Sequence, residues 1–186
     1  MKRLGILFAS LLVLLFTVGA VSFGQSKDLA VTTSTPVVDG VVNPGEYSFS
    51  QDFGQMVVYA NRTAGALHVA VVGKTTGWVG VGLGSMRMDG STIFMGFVGA
   101  DGKPQFKVQA GSGHRHSDAA SSVAATVVAY ALKEANGQTT LEVELKPDAY
   151  IKASDAALKL IYAQGGEKSF QPRHMFRGAV EVKLAK

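Results

Sequence analysis

The chain has 186 residues, of which 47% are apolar and 17% are charged, and it contains 22 glycines and no cysteine. This composition excludes a disordered or coiled-coil chain and favours a glycine-rich β protein. The missing cysteines exclude disulfides, thiolate metal sites, iron–sulfur clusters, cysteine nucleophiles and c-type haem attachment. The formal net charge of +4 is too small for a nucleic-acid-binding surface.

The N-terminus has the pattern of an export signal. Two basic residues precede an uncharged stretch from Leu4 to Phe23, and a polar segment follows. We therefore expect residues 1–24 to be a signal peptide and residues 25–186 to form one extracytoplasmic domain, periplasmic or secreted. A stretch of this length is also long enough to span a bilayer, so an uncleaved membrane anchor is the alternative.

From Val37 onward, short β-branched segments are separated by glycine-containing turns, a pattern typical of a β-sandwich or barrel. Asp101-Gly102 and Asn136-Gly137 are expected to supply the positive φ angles of two tight hairpins. Around Val123 several alanines suit a helix, but the β-branched residues favour a strand. The ten predicted strands are Tyr47–Phe53, Met56–Asn61, Ala66–Val72, Trp78–Leu83, Thr92–Val98, Gln105–Ala110, Val123–Lys133, Thr139–Leu145, Leu158–Ala163 and Ala179–Leu184.

Two of these strands have alternating faces. Apolar residues at odd positions alternate with His68 in the third strand and with Glu142 and Glu144 in the eighth. Because successive strand residues point to opposite faces, we expect the odd positions to point inward and these three polar residues outward. The residues predicted to be buried are Trp78, Val81, Leu83, Ile93 and Leu145.

The segment from Gly77 to Gly84 has a glycine at nearly every second position. It lies within a predicted strand and no helix follows it, so it does not have the context of a phosphate-binding loop. Glycine within a strand permits close approach of another group to the backbone. Two interpretations follow, which are close packing between strands and a flat ligand that lies against the sheet.

Methionine and histidine are the residues with ligand chemistry, because thioethers and imidazoles bind soft metals and haem iron. Met86 and Met88 follow the glycine-rich strand, and His174 precedes the last strand. His114 and His116 are two residues apart, so an extended chain would present both to one metal. The structural alternatives are core-filling methionines and solvated histidine loops. No nucleophile elbow is present, and we do not expect an enzyme.

Five short motifs occur in order along the predicted domain, and they are Val38-Asp39-Gly40, Gly45-Glu46-Tyr47, Gly77-Trp78-Val79-Gly80-Val81-Gly82, Met88-Asp89-Gly90-Ser91, and His174 with Arg177-Gly178. This succession resembles a DOMON domain over nearly the whole predicted domain. DOMON domains are immunoglobulin-like β-sandwiches that bind haem or sugars, and they include the cytochrome domain of cellobiose dehydrogenase. The resemblance therefore implies an all-β, immunoglobulin-like antiparallel sandwich of about ten strands.

The resemblance also implies a cofactor. In the haem-binding members, a methionine after the tryptophan-containing strand and a histidine before the last strand hold a b-type haem. The matching residues are Met88 and His174. Apolar walls are expected from the strands around Trp78, Phe94 and Phe97. A charge-assisted contact from Arg173 or Arg177 to a haem propionate is also expected.

The leading hypothesis is a haem b-binding electron-transfer module that serves an unknown redox partner, such as a membrane or periplasmic electron carrier. A carbohydrate- or other small-ligand-binding module is the second hypothesis, although the sequence offers few aromatic platforms for sugars. A third is periplasmic copper binding, for which thioether and imidazole ligands are suitable. The copper ligands would come from Met86, Met88, His114, His116 and His174.

Overall fold

The computed structural model describes residues 28–171 and 173–185, so the predicted signal peptide lies outside the described residues. This part of the chain holds no helix long and apolar enough to cross a membrane. Its helical segments are α1 (Ser121–Ala124) and a 3₁₀ turn at Pro147–Ala149. Its strands are β1 (Asp28–Leu29), β2 (Phe49–Asp52), β3 (Met56–Arg62), β4 (Leu67–Gly73), β5 (Val79–Leu83), β6 (Thr92–Val98), β7 (Pro104–Ser112), β8 (Arg115–Asp118), β9 (Val127–Ala135), β10 (Gln138–Leu145), β11 (Ala157–Gln164) and β12 (Phe176–Leu184).

The strands form two sheets that pack face to face. The seven-stranded sheet has the order β1-β12-β11-β5-β6-β7-β8, and the five-stranded sheet has the order β2-β3-β4-β10-β9. Neighbouring strands are antiparallel, with the exception of β1, which runs parallel to β12. The predicted all-β sandwich is thus confirmed.

All ten predicted strands are present, Thr92–Val98 with the predicted bounds and the other nine with shifted ends, and β1 and β8 are additional. The prediction of a strand from Val123 was wrong at its start. Residues Ser121–Ala124 form one helical turn, in which the backbone N–H groups of Val123 and Ala124 donate to the carbonyl of Ala120. The alanines here therefore favour the helix, and β9 begins only at Val127.

The two predicted hairpins differ in their turns. Asn136 and Gly137 have φ angles of 53° and 74°, as a two-residue hairpin turn requires, and they join β9 to β10. In the other hairpin Gly102 has a φ of 76°, whereas Asp101 does not have a positive φ. That loop is longer and is closed by a hydrogen bond from the Gly99 N–H to the Lys103 carbonyl at 2.8 Å.

The main core lies between the two sheets. It receives the inward positions of every long strand, including Val81, Leu83 and Leu145, each at most 1% exposed. Trp78 and Ile93 are buried as predicted, but they belong to a second cluster on the opposite side of the seven-stranded sheet. The sandwich therefore has one central core and one satellite cluster outside it.

A segment that we call the N-terminal strap, residues 30–47, crosses the outer face of the five-stranded sheet. Its ties to β3 include a hydrogen bond from Asn61 Nδ2 to the Ser34 carbonyl at 2.8 Å. His68 and Glu142 lie on this outer face, as predicted, but both are fully buried. Their expected exposure was wrong because the strap, whose position a local pattern does not reveal, covers this part of the sheet.

Glu142 is the main anchor of the strap. Its Oε2 accepts hydrogen bonds from the backbone N–H groups of Asp39 (3.1 Å) and Gly40 (2.7 Å), and its Oε1 accepts one from the Tyr47 hydroxyl at 2.7 Å. Burial raises the pKa of Glu142, and these three hydrogen bonds oppose that shift. The motifs Val38-Asp39-Gly40 and Gly45-Glu46-Tyr47 therefore hold the strap on the sheet.

His68 lies in the same covered layer without a hydrogen bond to either ring nitrogen within the described residues. Its Nε2 lies 3.9 Å from Glu144 Oε2. Burial lowers the pKa of His68, and the negative charges of Glu144 and Glu46 oppose that shift only in part. The folded state therefore favours the neutral imidazole.

Mild acid is expected to destabilise the fold through His68. As the pH falls below about 6.5, the unfolded chain binds a proton at this residue that the folded chain does not bind. The free energy of unfolding should thus fall, by at most ~1.4 kcal/mol per pH unit, until the lowered pKa of the folded state is reached. Urea unfolding between pH 7.5 and pH 5 measures this effect, and His68→Leu should flatten the profile. An equally steep profile in that variant would assign the acid sensitivity to other groups.

Candidate ligand site on the seven-stranded sheet

Strand β5 lies at the middle of the seven-stranded sheet and presents glycine to its outer face. Val79, Val81 and Leu83 point into the core, so Gly80 and Gly82 point outward. Their neighbours across β11 and β6 also point outward. Gly80 pairs with Ala163 and Met95, and Gly82 pairs with Ile161 and Ile93.

The two outward glycines are packed by their neighbours. A Cβ atom at Gly82 would lie 2.6 Å from Cγ1 of Ile161, and one at Gly80 would lie 3.1 Å from Cβ of Met95. Both distances are shorter than ordinary van der Waals contact, so a larger residue would displace these neighbours. At Gly82 this observation favours close packing between strands over direct contact of a ligand with the backbone.

An apolar cluster, which we call the outer cluster, covers the neighbouring part of this face. Trp78, Ile93, Met95 and Phe97 form it, and each is less than 10% exposed. Met88, Ala163 and Phe170 are partly buried against it. An apolar patch on the solvent side of a sheet needs a cover, and here the loop that carries Phe170 supplies part of it, with the Phe97 and Phe170 ring centroids 4.8 Å apart.

Trp78 is held at the edge of the outer cluster by its backbone. Its N–H donates to the Glu167 carbonyl at 3.1 Å, and its carbonyl accepts from the Gly165 N–H at 2.9 Å. The indole packs so closely on Gly165 that a Cβ atom there would overlap Nε1. This buried Nε1 has no hydrogen-bond acceptor among the described residues, which leaves one donor unused at the site.

The structure separates the two candidate methionines. Met88 packs against the outer cluster, whereas Met86 is 37% exposed and is not part of it. The loop is fixed by a hydrogen bond from the Ser91 N–H to the Met88 carbonyl (3.0 Å) and by one from the Ser91 hydroxyl to the Arg87 carbonyl (2.6 Å). Ser91 thereby holds Met88 over the sheet.

His174 lies just before β12, on the side of the sheet that carries the outer cluster. Arg177 pairs with Ala163, whose side chain packs against that cluster, so Arg177 points to the same face. The Arg177 Nη1 lies 3.4 Å from His174 Nε2. A guanidinium only donates, so Nε2 is the acceptor wherever this contact is a hydrogen bond. Arg173 is exposed nearby.

Of the expected apolar walls, two are in the outer cluster and one is not. Trp78 and Phe97 belong to it, whereas Phe94 itself points into the central core and its strand contributes Ile93 and Met95 to the outer cluster instead. Strand β6 is apolar on both faces, and therefore its pattern did not reveal which face holds the ligand site. Met95 and Phe170 were missed, although apolar residues at alternate positions around Phe94 were a signal for Met95.

The histidine pair near β8 has a different environment. His114 lies in the turn before β8 and His116 lies on β8 itself, and both are exposed. His116 Nδ1 lies 2.6 Å from Gln109 Oε1, so this nitrogen is already paired. Within residues 28–171 and 173–185, no three side chains of the His, Cys, Asp or Glu type form a cluster suited to a metal.

Replacing both histidines is expected to leave any bound metal unchanged. If copper were held here, the double variant His114→Ala/His116→Ala would lose it, because both imidazoles would leave the site. We expect the same metal content in the parent and the variant by elemental analysis. Stoichiometric copper in the parent that disappears in the variant would instead support the copper hypothesis.

Comparison with known proteins gives information on the fold alone. The chain is similar to the cytochrome b domain of pyranose dehydrogenase from Coprinopsis cinerea, with a TM-score of 0.51, 13% identity, and coverage of 73% of this chain and 80% of that chain. It is also similar to the cytochrome domain of cellobiose dehydrogenase from Myriococcum thermophilum, with a TM-score of 0.48, 13% identity, and coverage of 74% and 81%. A family 9 carbohydrate-binding module from Caldicellulosiruptor kristjanssonii, in complex with cellotriose, gives a TM-score of 0.48 at 11% identity, with coverage of 82% and 83%. No family model and no curated protein matches the sequence.

The residues at this site have the chemistry that a haem requires. Met88 offers a thioether beside apolar residues, and His174 offers an imidazole nitrogen with a lone pair on the same side of the sheet. Arg177 is a cation suited to a propionate, and the unused Nε1 of Trp78 is a further donor. Met88 and His174 supply the donor types of a six-coordinate haem, but the strand register does not bring their backbones together. Gly90, beside Met88, bonds to Gly111 past the Leu83 end of β5, whereas Phe176, which follows His174, aligns through Gln164 with Val79 at the other end.

Proposed function

We propose that this protein is a haem b-binding electron-transfer module. The observation that carries the proposal is the outward-facing apolar cluster with the thioether of Met88 packed against it, while the imidazole of His174 lies on the same side of the sheet. One iron could bind both residues only after the loops that carry them move. The similarity in fold to the cytochrome b domain of pyranose dehydrogenase supports it. The proposed axial ligands are Met88 and His174.

The side chains would have distinct roles. Met88 and His174 would bind the iron from two loops, and Trp78 with Phe97 would exclude water from one side. Arg177 would exchange its contact with His174 Nε2 for a propionate, which frees that nitrogen for the iron. When bound, the haem supplies one-electron redox chemistry, and a methionine–histidine pair raises its reduction potential.

The proposed role is electron transfer without catalysis. The protein would receive and deliver electrons outside the cytoplasm, where the predicted export signal would direct it. Its partner would be a membrane or periplasmic electron carrier. Contact with that partner would take place at the face that holds the outer cluster, because electron transfer requires a short distance to the haem.

The alternative proposal is a carbohydrate-binding module. Sugar sites use exposed aromatic faces, but Trp78 and Phe97 are only 6% and 8% exposed. Tyr130 is 45% exposed, and its ring is already stacked on Phe106 with a centroid distance of 4.1 Å. The outer cluster thus supports a buried apolar cofactor better than a surface sugar.

The visible spectrum tests the proposal. The exported protein, purified from the periplasm and also reconstituted with haem, should bind one haem per chain and show sharp low-spin bands on reduction. Far-ultraviolet circular dichroism should confirm that the sample is a folded β protein. A folded sample that binds no haem under both conditions would contradict the proposal, and binding of a soluble oligosaccharide by that sample would favour the alternative.

A further inference from the structure

A groove of about 410 Å³ lies on the outer face of the five-stranded sheet, on the other side of the sandwich from the outer cluster. Four of its lining residues, Val57, Val72, Thr140 and Lys133, occupy one row across β3, β4, β10 and β9. The strap forms one wall at Gly40–Val42. The groove is therefore built by the sheet and by the segment that Glu142 anchors.

The floor of the groove is apolar and its rim is polar. Val57 and Val72 are half-buried at its base, next to the ring of Tyr59. The side chains of Tyr59, Thr140 and Gln138 make no hydrogen bond to other residues in the described part of the chain. A small apolar surface ringed by unpaired polar groups is the usual composition of a small-molecule site.

The charge distribution defines the orientation of a ligand. Lys133 makes no ion pair with any residue of the described ranges, and no acidic side chain lines the groove. At the opposite end, Asp52 on β2 pairs with Val57, and burial together with this carboxylate raises the pKa of the Tyr59 phenol. The lysine end therefore attracts an anion, and the Tyr59 end presents a neutral hydroxyl.

The strap contacts β9 at the backbone and Cβ of Lys133. Gly40 has a φ of 83°, and a Cβ atom there would lie 2.7 Å from Cβ of Lys133. The strap thus packs against the stem of this exposed lysine, which lines the groove.

We propose that this groove binds a small molecule with one ring and one carboxylate, the carboxylate at Lys133 and the ring on Val57, Val72 and Tyr59. The volume suits a single substituted ring. Sugar acids and aromatic acids share this chemistry. The site is separate from the proposed haem site and does not depend on it.

The test is a titration of the ¹⁵N-labelled full-length mature protein, monitored by amide chemical shifts. The probes are glucuronate and benzoate, which carry the carboxylate, and glucose, which does not. We expect at least one acid to shift the amides of Val41, Val72 and Thr140, and glucose to bind at least about fivefold more weakly than that acid. The acid that binds more tightly would show whether the groove prefers a sugar acid or an aromatic acid.

The matched variants are Lys133→Gln and Lys146→Gln, since Lys146 is an exposed lysine outside the groove. Lys133→Gln should weaken acid binding about five- to tenfold, whereas Lys146→Gln should not change it. Equal binding of glucose, equal effects of the two variants, shifts located elsewhere, or no shifts with either acid would each overturn the proposal. None of these outcomes bears on the haem spectrum.

Discussion

Replacing His174 by alanine is expected to abolish the low-spin reduced spectrum of the haem-loaded protein. The imidazole is the stronger of the two proposed ligands, and its loss leaves only the thioether of Met88. Met88→Leu should retain bound haem but lose the low-spin bands and lower the reduction potential, because leucine keeps the packing on the outer cluster but supplies no sulfur. Absorption spectra and redox titration measure both effects.

Met86→Leu is the matched control for these variants. Met86 lies two residues from Met88 but is exposed and outside the outer cluster, so its replacement should leave the spectrum and the potential unchanged. Loss of the low-spin spectrum in Met86→Leu, with retention in Met88→Leu, would show that Met86 and not Met88 is the sulfur ligand. Retention of the low-spin spectrum in His174→Ala would contradict the assignment of His174 as an iron ligand.

Glu142→Ala is expected to destabilise the protein by about 3 kcal/mol, because it removes an acceptor that three hydrogen-bond donors share and leaves two of them unpaired. The three donors are the N–H groups of Asp39 and Gly40 and the hydroxyl of Tyr47. The Gly40 N–H and the Tyr47 hydroxyl then have no other acceptor among the described residues, whereas the Asp39 N–H keeps its contact with the Val37 carbonyl at 3.1 Å. Chemical denaturation of the parent and the variant at pH 7 measures the difference in the free energy of unfolding.

Glu142→Gln should lower the free energy of unfolding by less than Glu142→Ala does. Its amide oxygen can accept from both backbone N–H groups, and its amide nitrogen can donate to the Tyr47 oxygen, which is able to reverse its role. Glu181 is an exposed glutamate on β12, and Glu181→Ala is the control, expected within about 0.5 kcal/mol of the parent. A Glu142→Ala variant as stable as this control would show that the strap is not anchored through Glu142.

The local pattern predicted the parts of the fold that local physics determines. The alternation of Leu67, Val69 and Val71 with His68 correctly gave the strand and its inward face, because the main core excludes polar groups from that face. The Asn136-Gly137 turn was predictable because few other residue pairs adopt two positive φ angles. These features depend on neighbours in sequence.

The features that escaped prediction depend on distant residues. The burial of Glu142 results from its contacts with Asp39 and Gly40, which lie 103 and 102 residues earlier in the chain. The sequence did not show which face of β6 Phe94 occupies, because the outer cluster makes both sides of this strand apolar. In each case a second layer covers a sheet face that would otherwise meet solvent, and sequence alternation alone does not report such a layer.

The pairing of β1 with β12 has a consequence for the order in which the protein folds. Asp28 lies opposite Lys183, and Leu29 lies opposite Leu184, so the first described strand pairs with the last. The strap between β1 and β2 likewise forms its hydrogen bond with Glu142 only after β10 has been synthesised. A chain that emerges from the ribosome N-terminus first therefore lacks partners for its early segments until most of its length has been synthesised. Such non-local pairing slows folding, so the last strands to be synthesised are the ones that allow the first segments of the chain to be held in place.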